Sequence, residues 1–375
     1  MRLLYVVTED WYFLSHRLPM ARAARAAGFE VHVATRVVDG AAAIAAEGFA
    51  LHPVPFVRGR LSPLGAIASI GALRRVHRIV APAIAHHVAL QTAILGSIAA
   101  IGRSVICINA LTGLGYTFAS ASPKARLLRP IIGALLRLLL NRPGQIVLIQ
   151  NPDDRDGMLS LGIAAERIAL IPGSGVDVDA LKALPEPQGP PTIAFVGRLL
   201  DDKGIHTLIR AHRLLRQRGS NVELLIAGTP DPANPGSVTE AEAKGWNREP
   251  GITWLGQVDD IAGLWARAHI AVLPSRREGL PKSLLEAAAC GRPMVATDVP
   301  GCREIVRSGE TGLLVRYGDP QALAEAIEML AASSELRARL GAAARQLAVE
   351  RFSASAIGQQ TVELYRSLVR FGAQA

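Results

Sequence analysis

The sequence predicts an α/β fold made of two doubly wound parallel sheets, each covered by helices. Three observations predict it. Short apolar runs alternate with stretches of helical periodicity along the whole chain, the pattern of βαβ units and parallel strands. The 375 residues exceed what one ordinary core needs and suit two domains, and half of them are hydrophobic. A Pro- and Gly-rich segment, Leu184-Pro-Glu-Pro-Gln-Gly-Pro-Pro191, resets the alternation and marks a linker. The expected domains are residues 1–183 and 184–352.

In the first half, apolar runs of strand length lie near 2–8, 30–35, 50–54, 84–88, 104–108, 145–149 and 168–171. Helical periodicity fills the intervals near 16–27, 64–80, 91–101, 125–140 and 153–161. After the linker, strands are expected near 192–196, 222–227, 252–255, 270–273, 293–297 and 312–315. Two helices then follow near 320–350, and a last one from about Ser353 to Val369. Met1-Arg-Leu-Leu-Tyr-Val-Val-Thr8 runs straight into Glu9-Asp10 and reads as a first strand rather than a signal peptide. No apolar stretch reaches the roughly 18 residues of a membrane span. Cys107, Cys290 and Cys302 have neither metal nor redox spacing, which points to reduced thiols in a cytoplasmic protein.

The net charge of +9 is unevenly placed. Residues 1–175 hold 18 Lys/Arg against 9 Asp/Glu, whereas residues 176–375 hold 23 of each. Residues 48–152 contain no acid at all, yet carry 11 Lys/Arg. Such asymmetry calls for a polyanionic partner of the N-terminal half. Few aromatics and no recognisable nucleic-acid module argue against nucleic acid. Within 125–140, Arg126, Arg129 and Arg137 fall in an arc of roughly 80° at 100° per residue, with Leu and Ile expected opposite. The ordinary reading is a helix packed on its sheet. The sharper reading is an interfacial helix on anionic lipid, joined by Arg58, Arg60, Arg74, Arg75 and Arg78.

The densest chemistry follows the apolar run Ile270-Ala-Val-Leu-Pro274. Ser275-Arg-Arg-Glu-Gly-Leu-Pro-Lys-Ser-Leu-Leu-Glu286 reads as a turn and a helix, with Glu278 in the turn and Glu286 about two helical turns beyond. The backbone N–H groups of Gly279, Leu280, Lys282 and Ser283 stand at the helix start, where the dipole favours an anion. Upstream, Thr192-Ile-Ala-Phe-Val196 leads into Gly197-Arg198-Leu-Leu-Asp-Asp-Lys203-Gly204, which places two cations in a loop after a strand. Arg198 can fork onto phosphate oxygens, and Lys203 can act as a point charge.

These residues resemble glycosyltransferase family 4, whose fold is called GT-B. Further matching segments are Ile171-Pro-Gly-Ser-Gly-Val-Asp177, Pro300-Gly-Cys-Arg-Glu304 and Gly309-Glu-Thr-Gly-Leu-Leu-Val315. The resemblance implies two Rossmann-like domains facing a cleft, with residues 353–375 packing back on the first domain. It implies a nucleotide-sugar donor, UDP-linked as the first choice, and neither cofactor nor metal. Glu286 would accept from the ribose hydroxyls, Glu278 would contact the donor sugar, and Arg198 and Lys203 would stabilise the leaving diphosphate. Base contacts are expected near Leu255, Gly256 and Val258. The adjacent pairs Asp153-Asp154 and Asp201-Asp202 diverge on a helix or strand and are not read as metal sites.

The N-terminal half departs from the common family pattern. Thr8-Glu-Asp-Trp-Tyr-Phe-Leu-Ser-His16-Arg17 stands where many relatives carry a Gly-Gly pair. In Asn109-Ala-Leu-Thr112-Gly-Leu-Gly115, Thr112 replaces a donor-site His, so Asn109, Thr112 or His16 would take that part. The combination of Phe13-Leu-Ser-His-Arg-Leu-Pro19 with Leu111-Thr-Gly-Leu-Gly-Tyr116 resembles transferases that extend polyprenyl-diphosphate-linked sugars in bacterial envelope glycan assembly. The implied protein is a retaining, peripheral enzyme on the inner membrane face with a lipid-linked saccharide acceptor. Alternatives are an epimerase or a phosphorylase on the same fold, or a non-catalytic membrane-binding protein.

Overall fold

The computed structural model describes residues 1–57, 62–111, 123–232 and 234–372, with the backbone alone for 123–128 and 371–372. The chain divides into two compact units, Met1–Gly175 with Ala354–Ala375, and Val176–Ser353. The division precedes residues 176–183 rather than following them, because this stretch is built into the second unit. The Val176 N–H donates to the Phe352 carbonyl, and Arg345 donates to the carbonyls of Val178 and Leu181.

The first unit is a parallel sheet of β1 (Arg2–Glu9), β2 (Glu30–Arg36), β3 (Ala50–Pro53), β4 (Ile84–Val88), β5 (Ile106–Ala110), β6 (Gln145–Ile149) and β7 (Ile168–Leu170). Its strand order is β3-β2-β1-β4-β5-β6-β7. Alternate residues of β1 feed opposite faces, as the two-residue strand period requires. Leu3, Tyr5 and Val7 meet α1 (Asp10–His16), α2 (Leu18–Ala26) and the last helix, α15 (Ala354–Gly372). Leu4 and Val6 meet α4 (Pro63–Val80) and α5 (Leu90–Ala99). On that second face, α6 (Pro123–Leu140) packs beside α5 through Leu136 and Leu140.

Two features of this unit differ from the sequence expectation. The helix expected near 16–27 is α2, with Pro19 in its opening turn, where its missing N–H leaves no unmet bond, and a separate helix that was not expected, α1, precedes it across Arg17. A short helix, α3 (Ala41–Ala46), also stands between β2 and β3. The last helix returns to the first unit through buried polar contacts. Tyr365 Oη lies 2.9 Å from Tyr5 Oη and 2.6 Å from His86 Nδ1. Gly358 permits this, since a Cβ there would stand 2.7 Å from the Ala23 side chain on α2.

The second unit is a parallel sheet of β8 (Thr192–Val196), β9 (Glu223–Ala227), β10 (Ile252–Gly256), β11 (Ile270–Leu273), β12 (Met294–Thr297) and β13 (Gly312–Val315), in the order β10-β9-β8-β11-β12-β13. Its core is continuous from Ile193 through Trp265 and Leu285 to Phe352. Several of its helices start on a side-chain cap. Thr239 accepts from Glu242 N, Asp260 from Gly263 N and Asp319 from Ala322 N.

Candidate active site

The second sheet grows from β8 toward β9 and β10 on one side, then resumes at β11 and grows toward β13 on the other. Adjacent strands β8 and β11 therefore form the switch point where open α/β sheets leave a crevice beyond their carboxyl ends. The two loops that leave this point carry Gly197–Lys203 and Glu278–Ser283. All the residues expected to hold the donor in this half are thus brought to one edge of one sheet.

Gly197 begins the first loop, its N–H bonded to the Ala227 carbonyl at 3.0 Å. The loop after β9 presses against it. Gly228 adopts φ +133°, and a Cβ there would fall 1.9 Å from the Gly197 carbonyl oxygen. Arg198 stands half exposed, with Nη1 2.8 Å from Asp231 Oδ2 on that neighbouring loop. Asp231 is held in place in turn, its N–H donating to Ser237 Oγ at 2.7 Å.

Lys203 closes a single 3-10 turn, Asp201–Lys203, and Gly204 follows in the left-handed region at φ +71°. A Cβ on Gly204 would lie 2.0 Å from the Pro274 carbonyl, so glycine alone lets this turn reach the end of β11. That approach brings Lys203 Nζ to 2.5 Å from Glu278 Oε1, with the lysine side chain 23% and the glutamate 9% exposed. The Arg276 N–H donates to the Asp202 carbonyl at 2.8 Å and fastens the same two loops. Beneath them, Gly301 sits at φ +80° where a Cβ would strike the Gly279 carbonyl, which accounts for the Pro300-Gly301 segment.

Helix α11 (Lys282–Ala289) starts at Pro281, and no side chain caps it. Its opening N–H groups, those of Lys282 and Ser283 among them, face the anion preference of a helix start. Gly279, Leu280, Lys282 and Ser283 are all partly exposed. Lys282 Nζ lies 3.4 Å from Glu286 Oε1, one turn along. Burial raises Glu286 above the ordinary carboxylate range, with the Lys282 charge pulling the other way. The site is thus a set of cation–carboxylate pairs around a helix start. A diphosphate can compete for the cations, and the freed carboxylates can accept from hydroxyl groups.

Asp231 and Trp254 were not anticipated. Trp254 Nε1 donates to the Gly228 carbonyl at 2.8 Å. With Gly256, Thr229, Pro230 and Pro232, Trp254 lines a cavity of about 740 Å³. The cavity touches Gly256, where base contacts were expected. The available signal was the Pro-rich run Pro230-Asp-Pro-Ala-Asn-Pro235 directly after a strand at the carboxyl edge.

In the first unit the expected residues fare differently. His16 ends α1, which follows β1 at that sheet's own switch point with β4. Its ring stacks on Tyr12 with centroids 4.2 Å apart, and Nδ1 lies 2.5 Å from Ser15 Oγ. Asn109 does not face a ligand edge. It is fully buried, donating to Gln145 Oε1 at 2.9 Å and accepting from Ser97 Oγ at 3.1 Å, with His87 Nδ1 2.9 Å from its oxygen. Both ends of its amide are satisfied inside the core. Thr112, Arg58 and Arg60 lie outside the described residues, and of Arg126 only the backbone, in α6, is described.

The sequence does contain two Asp-x-Asp spacings, Asp154-x-Asp156 and Asp177-x-Asp179. Asp154 accepts from the Asn151 amide, and Asp177 accepts from the N–H groups of Asp179 and Ala180. Among the described residues no cluster of three His, Cys, Asp or Glu stands ready for a metal. The three cysteines are free and buried. No helix among the described residues is long and apolar enough to cross a membrane.

The signature described as "Glycosyl transferase 4-like" matches residues 2–150, and that described as "Glycosyl transferases group 1" matches residues 190–333. The capsular polysaccharide biosynthesis glycosyltransferase CapM of Staphylococcus aureus is 32% identical over 178 residues, 48% of this chain and 46% of that protein. The N,N'-diacetylbacillosaminyl-diphospho-undecaprenol alpha-1,3-N-acetylgalactosaminyltransferase of Campylobacter jejuni is 27% identical over 273 residues, 69% of each chain. The match spans about half the length of CapM, of the alpha-maltose-1-phosphate synthase of Mycolicibacterium smegmatis and of the alpha-D-kanosaminyltransferase of Streptomyces kanamyceticus. Among solved structures, Anabaena Alr3699/HepE in complex with UDP and glucose superposes with a TM-score of 0.80 at 20% identity, covering 98% of this chain and all of that one. At that identity the likeness speaks for the fold.

Proposed function

Because the chain belongs to the family 4 glycosyltransferases and has their GT-B fold, we propose that it moves a hexose or N-acetylhexosamine from a nucleotide sugar to a lipid-linked, polyprenyl-diphosphate saccharide. The observation that carries this reading is the gathering of Arg198, Lys203, Glu278, Lys282 and Glu286 at one sheet edge beside an uncapped helix start. A nucleoside diphosphate presents what this edge accepts, two phosphates for the cations and ribose hydroxyls for a buried carboxylate. UDP is the favoured nucleotide, supported by the complex of the Anabaena protein with UDP and glucose. The lipid-linked acceptor is supported by the Campylobacter relative. The place of action is the inner face of the cell membrane, in envelope polysaccharide or glycan assembly.

In this reaction an acceptor hydroxyl oxygen forms the new bond to the anomeric carbon as the bond from that carbon to the diphosphate breaks. Attack comes from the face the diphosphate leaves, so configuration is retained. A diphosphate oxygen takes the hydroxyl proton, and the products are the extended saccharide and the nucleoside diphosphate. No cofactor enters the balance. Arg198, Lys203 and the N–H groups at the start of α11 stabilise charge growing on the leaving group. Glu278, released from Lys203 by the incoming phosphates, turns to the sugar hydroxyls, and Glu286 receives the ribose.

The test is transfer of labelled sugar from UDP-linked donors to a polyprenyl-diphosphate saccharide, with Arg198→Ala and Glu286→Ala beside the unaltered protein. Loss of turnover by about two orders of magnitude is expected for Arg198→Ala. Full turnover in both variants would sink the assignment.

A further inference from the structure

The segment without acids, residues 48–152, does not scatter over the first unit. Its helices α4, α5 and α6 form one layer on a single face of the sheet, with α5 between the other two. Helix α4 faces inward with Leu73, Val76 and Val80. Its outward arc carries Leu64, Ile67 and Ile79, which are 80%, 67% and 71% exposed, together with the exposed Arg74, Arg75 and Arg78. At 100° per residue these six positions span about 140° of one helix face. On α6 the arrangement differs from the sequence expectation. Ile131 and Leu138 lie across the wheel from Arg129, as expected, but that side points outward rather than onto the sheet, leaving them 62% and 70% exposed, with the exposed Arg137 about 100° round the helix from Leu138.

Large aliphatic side chains at that exposure are a liability in water unless something apolar covers them. Their mixture with arginines, free of carboxylates, matches an anionic bilayer, where the aliphatics reach the acyl boundary and the guanidinium groups meet phosphates. Base stacking is not served, because these helix faces carry no aromatic side chain.

We propose that the outer faces of α4 and α6 form a membrane-docking surface that inserts Leu64, Ile67, Ile79, Ile131 and Leu138 into anionic lipid. This rests on the lipid-linked acceptor proposed above and goes further, because it makes attachment partly hydrophobic and assigns most of it to α4. Docking by charge alone would vanish in salt, whereas inserted aliphatics leave a residue of binding that salt does not remove.

The experiment is co-sedimentation with vesicles of phosphatidylcholine and phosphatidylglycerol at low and high salt, without donor or acceptor. The full chain is compared with Ile67→Ser/Ile79→Ser and with Arg74→Gln/Arg75→Gln/Arg78→Gln. Thermal melting and transfer to a short-chain, water-soluble acceptor serve as folding and activity controls. The arginine variant should lose about a hundredfold at low salt, at roughly fivefold per charge. The serine variant should lose about a hundredfold and most of the salt-resistant part, with melting and soluble-acceptor transfer unchanged. Unchanged vesicle binding in the serine variant would overturn the proposal. So would tighter binding of a duplex oligonucleotide than of vesicles, or a dimer that the serine variant dissolves in a chain that ignores lipid. Vesicle binding that follows these variants in a chain inactive on every nucleotide sugar would uphold the surface and remove the transferase reading instead.

Discussion

Lys203 Nζ stands 2.5 Å from Glu278 Oε1, and this contact joins the two loops that leave the switch point of the second sheet. It depends on Gly204, which alone can lie against the Pro274 carbonyl. Replacing Lys203 by Met leaves a nearly buried carboxylate without its partner, which costs about 1–3 kcal/mol of stability. It also removes a charge from the leaving group, so kcat should fall about 100-fold or more. Glu278→Gln keeps the shape and should lower kcat while sparing the melting temperature. A double-mutant cycle read by denaturation and by turnover separates the two effects. If Lys203→Met left turnover intact, the lysine would be a loop fastener only.

Arg198 and Asp231 make a second pair, at 2.8 Å, and here the carboxylate competes with the expected diphosphate. The arginine side chain is half exposed, so the pair is worth about 0.2–1 kcal/mol. Asp231→Asn should therefore tighten UDP binding, by at most about fivefold. Calorimetric titration with UDP checks this, and weaker binding would show that Asp231 holds Arg198 in its productive place.

Much of this was legible in the sequence because it is local. Strand–helix alternation located the strands, and the Glu278–Glu286 spacing placed one carboxylate in a turn and one on a helix. What escaped depends on contacts distant in the chain. Helix α1 is tied down by Asp10, whose Oδ2 accepts from the N–H groups of Val38 at 2.6 Å and Gly40 at 2.8 Å. Asn109 looked polar and available beside a glycine-rich run, yet Ser97 and Gln145, brought in by α5 and β6, absorb its amide. The wheel drawn for 125–140 placed its arginines on one arc but could not tell which apolar residues the neighbouring helices would leave uncovered.

Glu286 carries a pH prediction for donor binding. Burial raises its carboxyl above the ordinary range, against the pull of Lys282. A protonated carboxyl accepts less well from ribose hydroxyls, so KM for the donor should rise as pH falls toward that raised value. Glu286→Gln should show a raised KM with a flattened acid limb. An acid limb unchanged in the variant would assign the titration to another group.

Acid should also unfold the first unit through its histidines. Burial lowers His77 to about 3 and His87 to about 4, and His77 has both ring nitrogens buried without a partner. In the unfolded chain these imidazoles titrate near 6.5. Between that value and about 3 the unfolded state therefore binds more protons, so stability falls as pH falls through this window, with the His87 share complete near 4 and the His77 share near 3. Each unit of depression corresponds to about 1.4 kcal/mol at most. Urea denaturation at pH 7.5 and pH 5 should show the loss, and His77→Phe should recover part of it at pH 5 with little change at pH 7.5. Equal stability of the unaltered chain at the two pH values would mean that these rings are hydrated and charged in the folded protein.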